Sequence, residues 1–230
     1  MKQETFLWKQ IPVLLLGEAS DKGFLFVHGQ GGNKAEAIAF AEIAVPKGWQ
    51  VLSIDLPEHG GRRDAQRFLP QEVVPELKEA YAYAKRNWKQ IALRATSIGA
   101  WFSMLAFAQE DLKNCLFVSP VLDMEQLIKN MMQWASVTEE QLQREKEIPT
   151  NFGQTLSWEY LCYTRQNCIS SWGCPTNILY AGRDGMTSKE TVERFVRKFH
   201  CGLYVCDDGE HWFHTEEQLR VMKNWEERMI

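Results

Sequence analysis

The chain has 230 residues, of which 45% are hydrophobic and 24% charged, ordinary globular proportions that suit one α/β domain over residues 1–230. Its net charge is −4 with no block of basic residues, so the footprint that neutralises phosphates is missing and nucleic acid is excluded as a partner. No apolar run approaches the ~20 residues that cross a bilayer, and Met1 to Gln10 lack a basic stretch leading into an apolar one. A chain without signal peptide or membrane association, working in the cytoplasm, is the expectation.

Thr5 to Gly17 reads as one or two extra strands, antiparallel at a sheet edge. Gly23 to Val27 is the first strong strand, an apolar run bounded by turn residues. His28-Gly29-Gln30-Gly31-Gly32 follows it, and Asn33 then caps a helix over Ala35 to Val45. Val51 to Ile54, Ile91 to Ala95, Cys115 to Val118, Asn177 to Ala181 and Leu203 to Cys206 repeat the strand pattern. Their near-continuous apolar character is that of strands covered on both faces. Arg94 is the exception, and it requires an edge, a partner or the mouth of a site.

Helical spacing recurs between the strands, over Glu72 to Lys89, Ser103 to Gln109 (within an apolar helix that follows Ser97, Ile98 to Ala108), Lys189 to Lys198 and Glu216 to Glu227. Strands alternating with helices imply right-handed βαβ units and a mostly parallel central sheet with helices on both faces. The alternation breaks over about 122–173, where no strand pattern appears for some fifty residues. That is too long for a structureless connection, so helices inserted as a cap over the carboxyl ends of the strands are expected, where ligands bind in such folds. The six cysteines include no C-x-x-C pair, and reduced, mostly buried thiols are the reading. No metal-ligand cluster stands out and no cofactor is expected.

Four segments carry chemistry. Ala95-Thr96-Ser97-Ile98-Gly99 lies between a strand and an apolar helix, the context of a nucleophile elbow. Small residues are needed two positions before and after the serine. Gly99 supplies one, and Ala95 stands where glycine is commoner. A serine that only caps a buried helix fits the same pattern. The glycines of 28–32 let backbone N–H groups approach an oxyanion, whereas a phosphate loop lacks its G-x-x-x-x-G-K-[ST] or G-x-G-x-x-G motif. Asp184, within Gly182-Arg183-Asp184-Gly185, and His211, within Gly209-Glu210-His211-Trp212-Phe213-His214, each follow a strand. His211 lies closest to the loop, while His214 follows Trp212 and Phe213, which read as packed.

The order Ser…Asp…His, each after its own strand and below a His-Gly loop, resembles the α/β-hydrolase superfamily over nearly the whole length. The segments that carry the likeness are Val27–Gly32, Asp55–Gly60, Ala95–Gly99, Gly182–Asp184 and Gly209–Phe213. They look most like compact serine aminopeptidase-like and dienelactone-hydrolase-like members. The resemblance implies Ser97 as nucleophile, His211 as base and Asp184 as its orienting acid, with backbone N–H groups of Gln30 and Ile98 as the oxyanion hole. Asp55, Glu58 and His59 then shape the fold. Asp123 occupies a place where some members carry the acid, and Asp207 and Asp208 lie near His211 in sequence.

The reaction so implied is acyl transfer to water from a small-molecule carboxylic ester or thioester through an acyl-enzyme, with an amidase or peptidase, or a non-catalytic binding protein of the same fold, as alternatives. Met131, Met132, Trp134 and Trp158 of the insertion are candidates to line an acyl pocket. The same side chains equally fit as packing of the insertion onto the domain.

Overall fold

The computed structural model describes residues 1–230. In chain order the elements are β1 (Gln3–Trp8), β2 (Ile11–Leu16), β3 (Lys22–Val27), α1 (Ala37–Ala44), β4 (Gln50–Ile54), α2 (Pro70–Asn87), β5 (Gln90–Thr96), α3 (Ile98–Phe107) and β6 (Cys115–Val118). There follow α4 (Met124–Trp134), α5 (Glu139–Glu145), β7 (Glu147–Pro149), β8 (Thr155–Ser157), α6 (Trp158–Gln166), β9 (Thr176–Ala181), α7 (Lys189–Phe199), β10 (Gly202–Cys206) and α8 (Glu216–Met229).

Eight strands form one sheet in the order β1-β2-β4-β3-β5-β6-β9-β10. The six from β4 to β10 are parallel, and the β1–β2 hairpin adds the antiparallel edge expected of Thr5 to Gly17. The chain leaves β3 for β4 on one side and then returns to β5 on the other. That reversal is the switch point at which ligands bind across the carboxyl ends of an open parallel sheet. The loops after β3 and β5 carry Gln30 and Ser97 there.

Short polar side chains start the helices. Asn33 forms a capping box with Glu36 at the turn leading into α1, and Asp123, Thr138, Ser157, Ser188 and Thr215 each accept an N–H in the first turn of α4 to α8. Apolar stripes then cover both sheet faces. Phe40 of α1 and Trp225 of α8 pack with Phe24 and Leu179 on one face, while Leu77, Trp101 and Phe195 pack with Leu93 and Phe117 on the other.

Arg94 resolves as the partner case. It is buried beneath α8, where its Nε donates to Glu226 at 2.7 Å and its Nη1 to Thr96 Oγ1 at 2.6 Å. Burial pushes the Glu226 carboxyl up, and the guanidinium draws it part of the way back. The pair ties the last helix to the strand that ends at Ser97.

The 122–173 insertion is not purely helical. It contains the two-stranded antiparallel hairpin β7–β8, whose strands of three residues are too short to display alternation in sequence. All six cysteines are free; Cys115, Cys174, Cys201 and Cys206 are buried and Cys168 is exposed.

Candidate active site

The elbow begins with the backbone of Ser97, held at φ 52° and ψ −126°. A non-glycine residue adopts this region only when its surroundings over-determine it, and they do. Ser97 N–H donates to Val118 O, and Ser97 O accepts from Ala100 and Val121 N–H, each within 3.1 Å. Gly99 is required by close approach: a Cβ there would stand 2.4 Å from His28 O and 2.9 Å from Val27 O. Ala95, the departure from the commoner glycine, is fully buried in the strand.

Ser97 Oγ lies 2.8 Å from His211 Nε2, and His211 Nδ1 lies 2.8 Å from Asp184 Oδ2. A carboxylate only accepts hydrogen bonds, so Nδ1 carries the proton and leaves Nε2 free to accept from the serine hydroxyl. The Asp184 side chain is fully buried. Its other oxygen accepts from the N–H groups of Met186 at 2.7 Å and Thr187 at 3.1 Å. The acid and histidine loops are joined through their backbones: Gly182 N–H donates to Cys206 O and Arg183 N–H to Gly209 O. Thr187 fastens the acid loop to the turn after β6 through Pro120 O.

The glycine-rich loop abuts the elbow. A side chain at Gly29 would meet Ser97 Cβ at 3.2 Å, and Gln30 follows directly. The amide of Ile98 lies in the first turn of α3, where N–H groups have no carbonyl four residues back. The loop is braced from below. His28 is fully buried, its Nδ1–H donates to Gly29 O, and its Nε2 accepts Leu56 N–H at 3.1 Å. Burial lowers the His28 pKa to about 4, so the imidazole is neutral at pH 7. His59 Nε2 accepts Gly31 N–H at 2.9 Å. Burial pushes the Asp55 carboxyl up, but hydrogen bonds from the Lys34 side chain and the Lys34 and Gly61 amides outweigh it and hold its pKa low. Glu58 accepts Phe68 N–H. Asp55 and His59 therefore hold the two loops together, and Glu58 braces the segment after β4 on itself.

The remaining candidates make other contacts. His214 stacks on Trp212 at 4.9 Å and reaches Glu210 and Trp212 O rather than the serine. Phe213 is packed, but Trp212 is 76% exposed, contrary to expectation. Asp123 caps α4 and meets Arg194, and Asp208 pairs with Arg183. Met132 belongs to the core, with Met131 and Trp158 packed against it. Trp134 is half-exposed and meets the hairpin's Phe152 edge-on at 6.0 Å. A cavity of about 290 Å³ opens between α4, α6 and α7 over Trp101, Phe195 and Phe199, and neither Ser97, Asp184 nor His211 lines it. No group of three or more His, Cys, Asp or Glu side chains is placed to hold a metal ion, and no helix is long and apolar enough to cross a membrane.

The sequence marks His28 only as part of the glycine-rich loop, because its place after β3 offers no signal that it bridges two loops. Sequence reasoning missed Gln154, which reaches Gln30 from the hairpin turn at 2.8 Å.

No family model matches the chain, and no curated protein sequence matches it. Solved structures do. Est1E from Butyrivibrio proteoclasticus, bound to ferulic acid, superposes with a TM-score of 0.79 at 16% identity, over 98% of this chain and 96% of that one. The mouse α/β hydrolase domain-containing protein 10 gives 0.75 at 12% identity over 98% and 96%. This is an α/β-hydrolase fold. The Pyrococcus furiosus esterase Pf2001 extends the likeness, with a TM-score of 0.69 at 17% identity over 99% of this chain and 89% of that one. Within the α/β-hydrolase fold, the serine, acid and histidine loops and the glycine-rich loop all lie at the carboxyl edge of the parallel strands.

Proposed function

We propose that the chain is a serine hydrolase that cleaves a small-molecule carboxylic ester or thioester through an acyl-enzyme. The observation that carries this reading is the unbroken relay from Ser97 through His211 to Asp184, two hydrogen bonds of 2.8 Å each. In this reading Ser97 Oγ attacks the substrate carbonyl carbon as His211 Nε2 takes its proton. Buried Asp184 stabilises the imidazolium that results. The N–H groups of Gln30 and Ile98 receive the negative charge that develops on the carbonyl oxygen, each donor worth roughly 3 kcal/mol. His211 then returns the proton to the departing alcohol or thiol, leaving the acyl group on Ser97. A water molecule, deprotonated by the same imidazole, releases the carboxylic acid and restores the serine.

Est1E, with its ferulic acid, and the Pyrococcus esterase support esters as the first substrates to try. The acyl or alcohol portion is proposed to contact the insertion at Trp134, the most exposed of its four candidate side chains, while Met131, Met132 and Trp158 shape the wall behind it. The test is turnover of p-nitrophenyl butyrate and its thioester counterpart. Ser97→Ala and His211→Ala are expected to lose about 10³-fold or more in kcat, and His214→Ala is expected to keep wild-type turnover. Equal losses in the two histidine variants would contradict the assignment.

A further inference from the structure

The hairpin of the insertion reaches across to the glycine-rich loop, and the contact is built. Its turn is closed on itself: Thr150 N–H donates to Gln154 O, Thr150 Oγ1 to the same oxygen at 2.6 Å, and Gln154 N–H to Thr150 Oγ1. These bonds fix the Gln154 backbone, so its side chain projects from a rigid base. That side chain accepts from Gln30 Nε2 at 2.8 Å, a pairing of residues 124 positions apart. Two further bonds strap the insertion to the main domain, Arg67 to Glu147 at 3.4 Å and Gln71 to Glu159 at 3.2 Å. Gln30 itself sits in a loop whose neighbours are all fixed: Gly29 against the elbow, Gly31 on His59 and Asn33 on Glu36. Its own side chain has the insertion as its hydrogen-bond partner.

We infer that Gln154 is a positioning residue for catalysis, which holds Gln30 so that its backbone N–H faces the developing oxyanion. The inference rests on the hydrolase reading above and deepens it. An oxyanion donor works only when pre-aimed at the position the charged oxygen will take. The peptide that carries this N–H is held at its Gly29 carbonyl by His28 and Gly32, and the Gln154 tether adds a second hold at the Gln30 side chain, so that the residue is restrained on both sides before substrate arrives. The hairpin therefore acts on the oxyanion loop through the contact between residue 154 and residue 30.

The test uses the whole chain with p-nitrophenyl butyrate as substrate and phenylboronic acid as a probe of the tetrahedral state. Gln154→Met removes the acceptor at similar length, and Gln154→Glu keeps an acceptor oxygen in the same place. Gln154→Met is expected to lower kcat about tenfold with KM little changed, and to weaken phenylboronic acid binding by the same factor. Gln154→Glu is expected to retain both within threefold, with melting temperatures of the two variants alike. Unchanged kcat and boronate affinity in Gln154→Met, or an equal fall in Gln154→Glu, would overturn the inference. A fluorophosphonate probe separates this from failure of the reading beneath it. Both variants should label fully and Ser97→Ala not at all, whereas labelling of Ser97→Ala as strong as wild type would remove the hydrolase reading and this inference together.

Discussion

Replacing Gly99 by alanine presses α3 against the end of β3, where Ser97 and the glycine-rich loop meet. The added Cβ would lie 2.4 Å from His28 O and 2.9 Å from Val27 O, where ordinary contact begins at 3.4 Å. The shortfall against His28 O is therefore about 1 Å, and both obstacles are backbone, so no side chain can rotate away. Either α3 withdraws with Ser97 or the end of β3 withdraws with the loop that carries Gln30. In both cases the proposed nucleophile and oxyanion donors part by a distance that costs about 10²-fold in rate. Overpacking of this kind also costs about 1–3 kcal/mol of stability. Gly29→Ala provides the graded control, since its Cβ would meet Ser97 Cβ at 3.2 Å, a shortfall of only about 0.2 Å, and its loss should be much smaller. The assay is kcat/KM for p-nitrophenyl butyrate alongside urea unfolding. A Gly99→Ala variant with wild-type activity and stability, or one less impaired than Gly29→Ala, would refute the reasoning.

Arg94→Met should destabilise the chain by about 3–5 kcal/mol, because it leaves the Glu226 carboxyl buried without its partner. Adding Glu226→Met should restore much of that loss in urea unfolding, and a fully stable single variant would show that the pair contributes nothing. His28 gives a pH prediction. Its folded pKa is lowered from 6.5 to about 4, so its contribution is fully present above about pH 6.5 and is lost as pH falls towards 4. Between pH 7 and 4.5 the wild type should lose about 2–3 kcal/mol more unfolding free energy than His28→Gln; parallel pH profiles would contradict this. Tyr160→Phe should raise stability slightly, because the Tyr160 hydroxyl is buried without a hydrogen-bond partner. A fall of more than about 1 kcal/mol would reveal a partner for that group.

The parallel core of this fold was legible because its strands are covered on both faces and its helices carry their own start signals. Ser188 before α7 and Thr215 before α8 mark both boundaries in the sequence. The candidate site was legible in its covalent outline, since Ser97, Asp184 and His211 each follow a strand. Their convergence within 2.8 Å is a property of the sheet order, which no local pattern encodes. Arg94 shows where the pattern stops: a charge in an apolar strand demands compensation, but only the packing of α8 reveals that Glu226 provides it. The β7–β8 hairpin was hidden for a different reason. Three-residue strands are specified by turn closure at Thr150 and by docking onto the loops below, neither of which leaves a periodic trace. Trp212, apolar yet 76% exposed, was misjudged because hydrophobicity alone does not say which side of a loop faces solvent.

Acylation of Ser97 is the step that distinguishes the proposed enzyme from a non-catalytic binding protein of the same fold. Rapid acid quench during turnover of p-nitrophenyl butyrate, followed by peptide mass spectrometry, reads this directly. A butyryl group on the peptide containing Ser97, absent from Ser97→Ala, is the expected result. Steady hydrolysis with no acylated Ser97, or with the acyl group on another side chain, would contradict it.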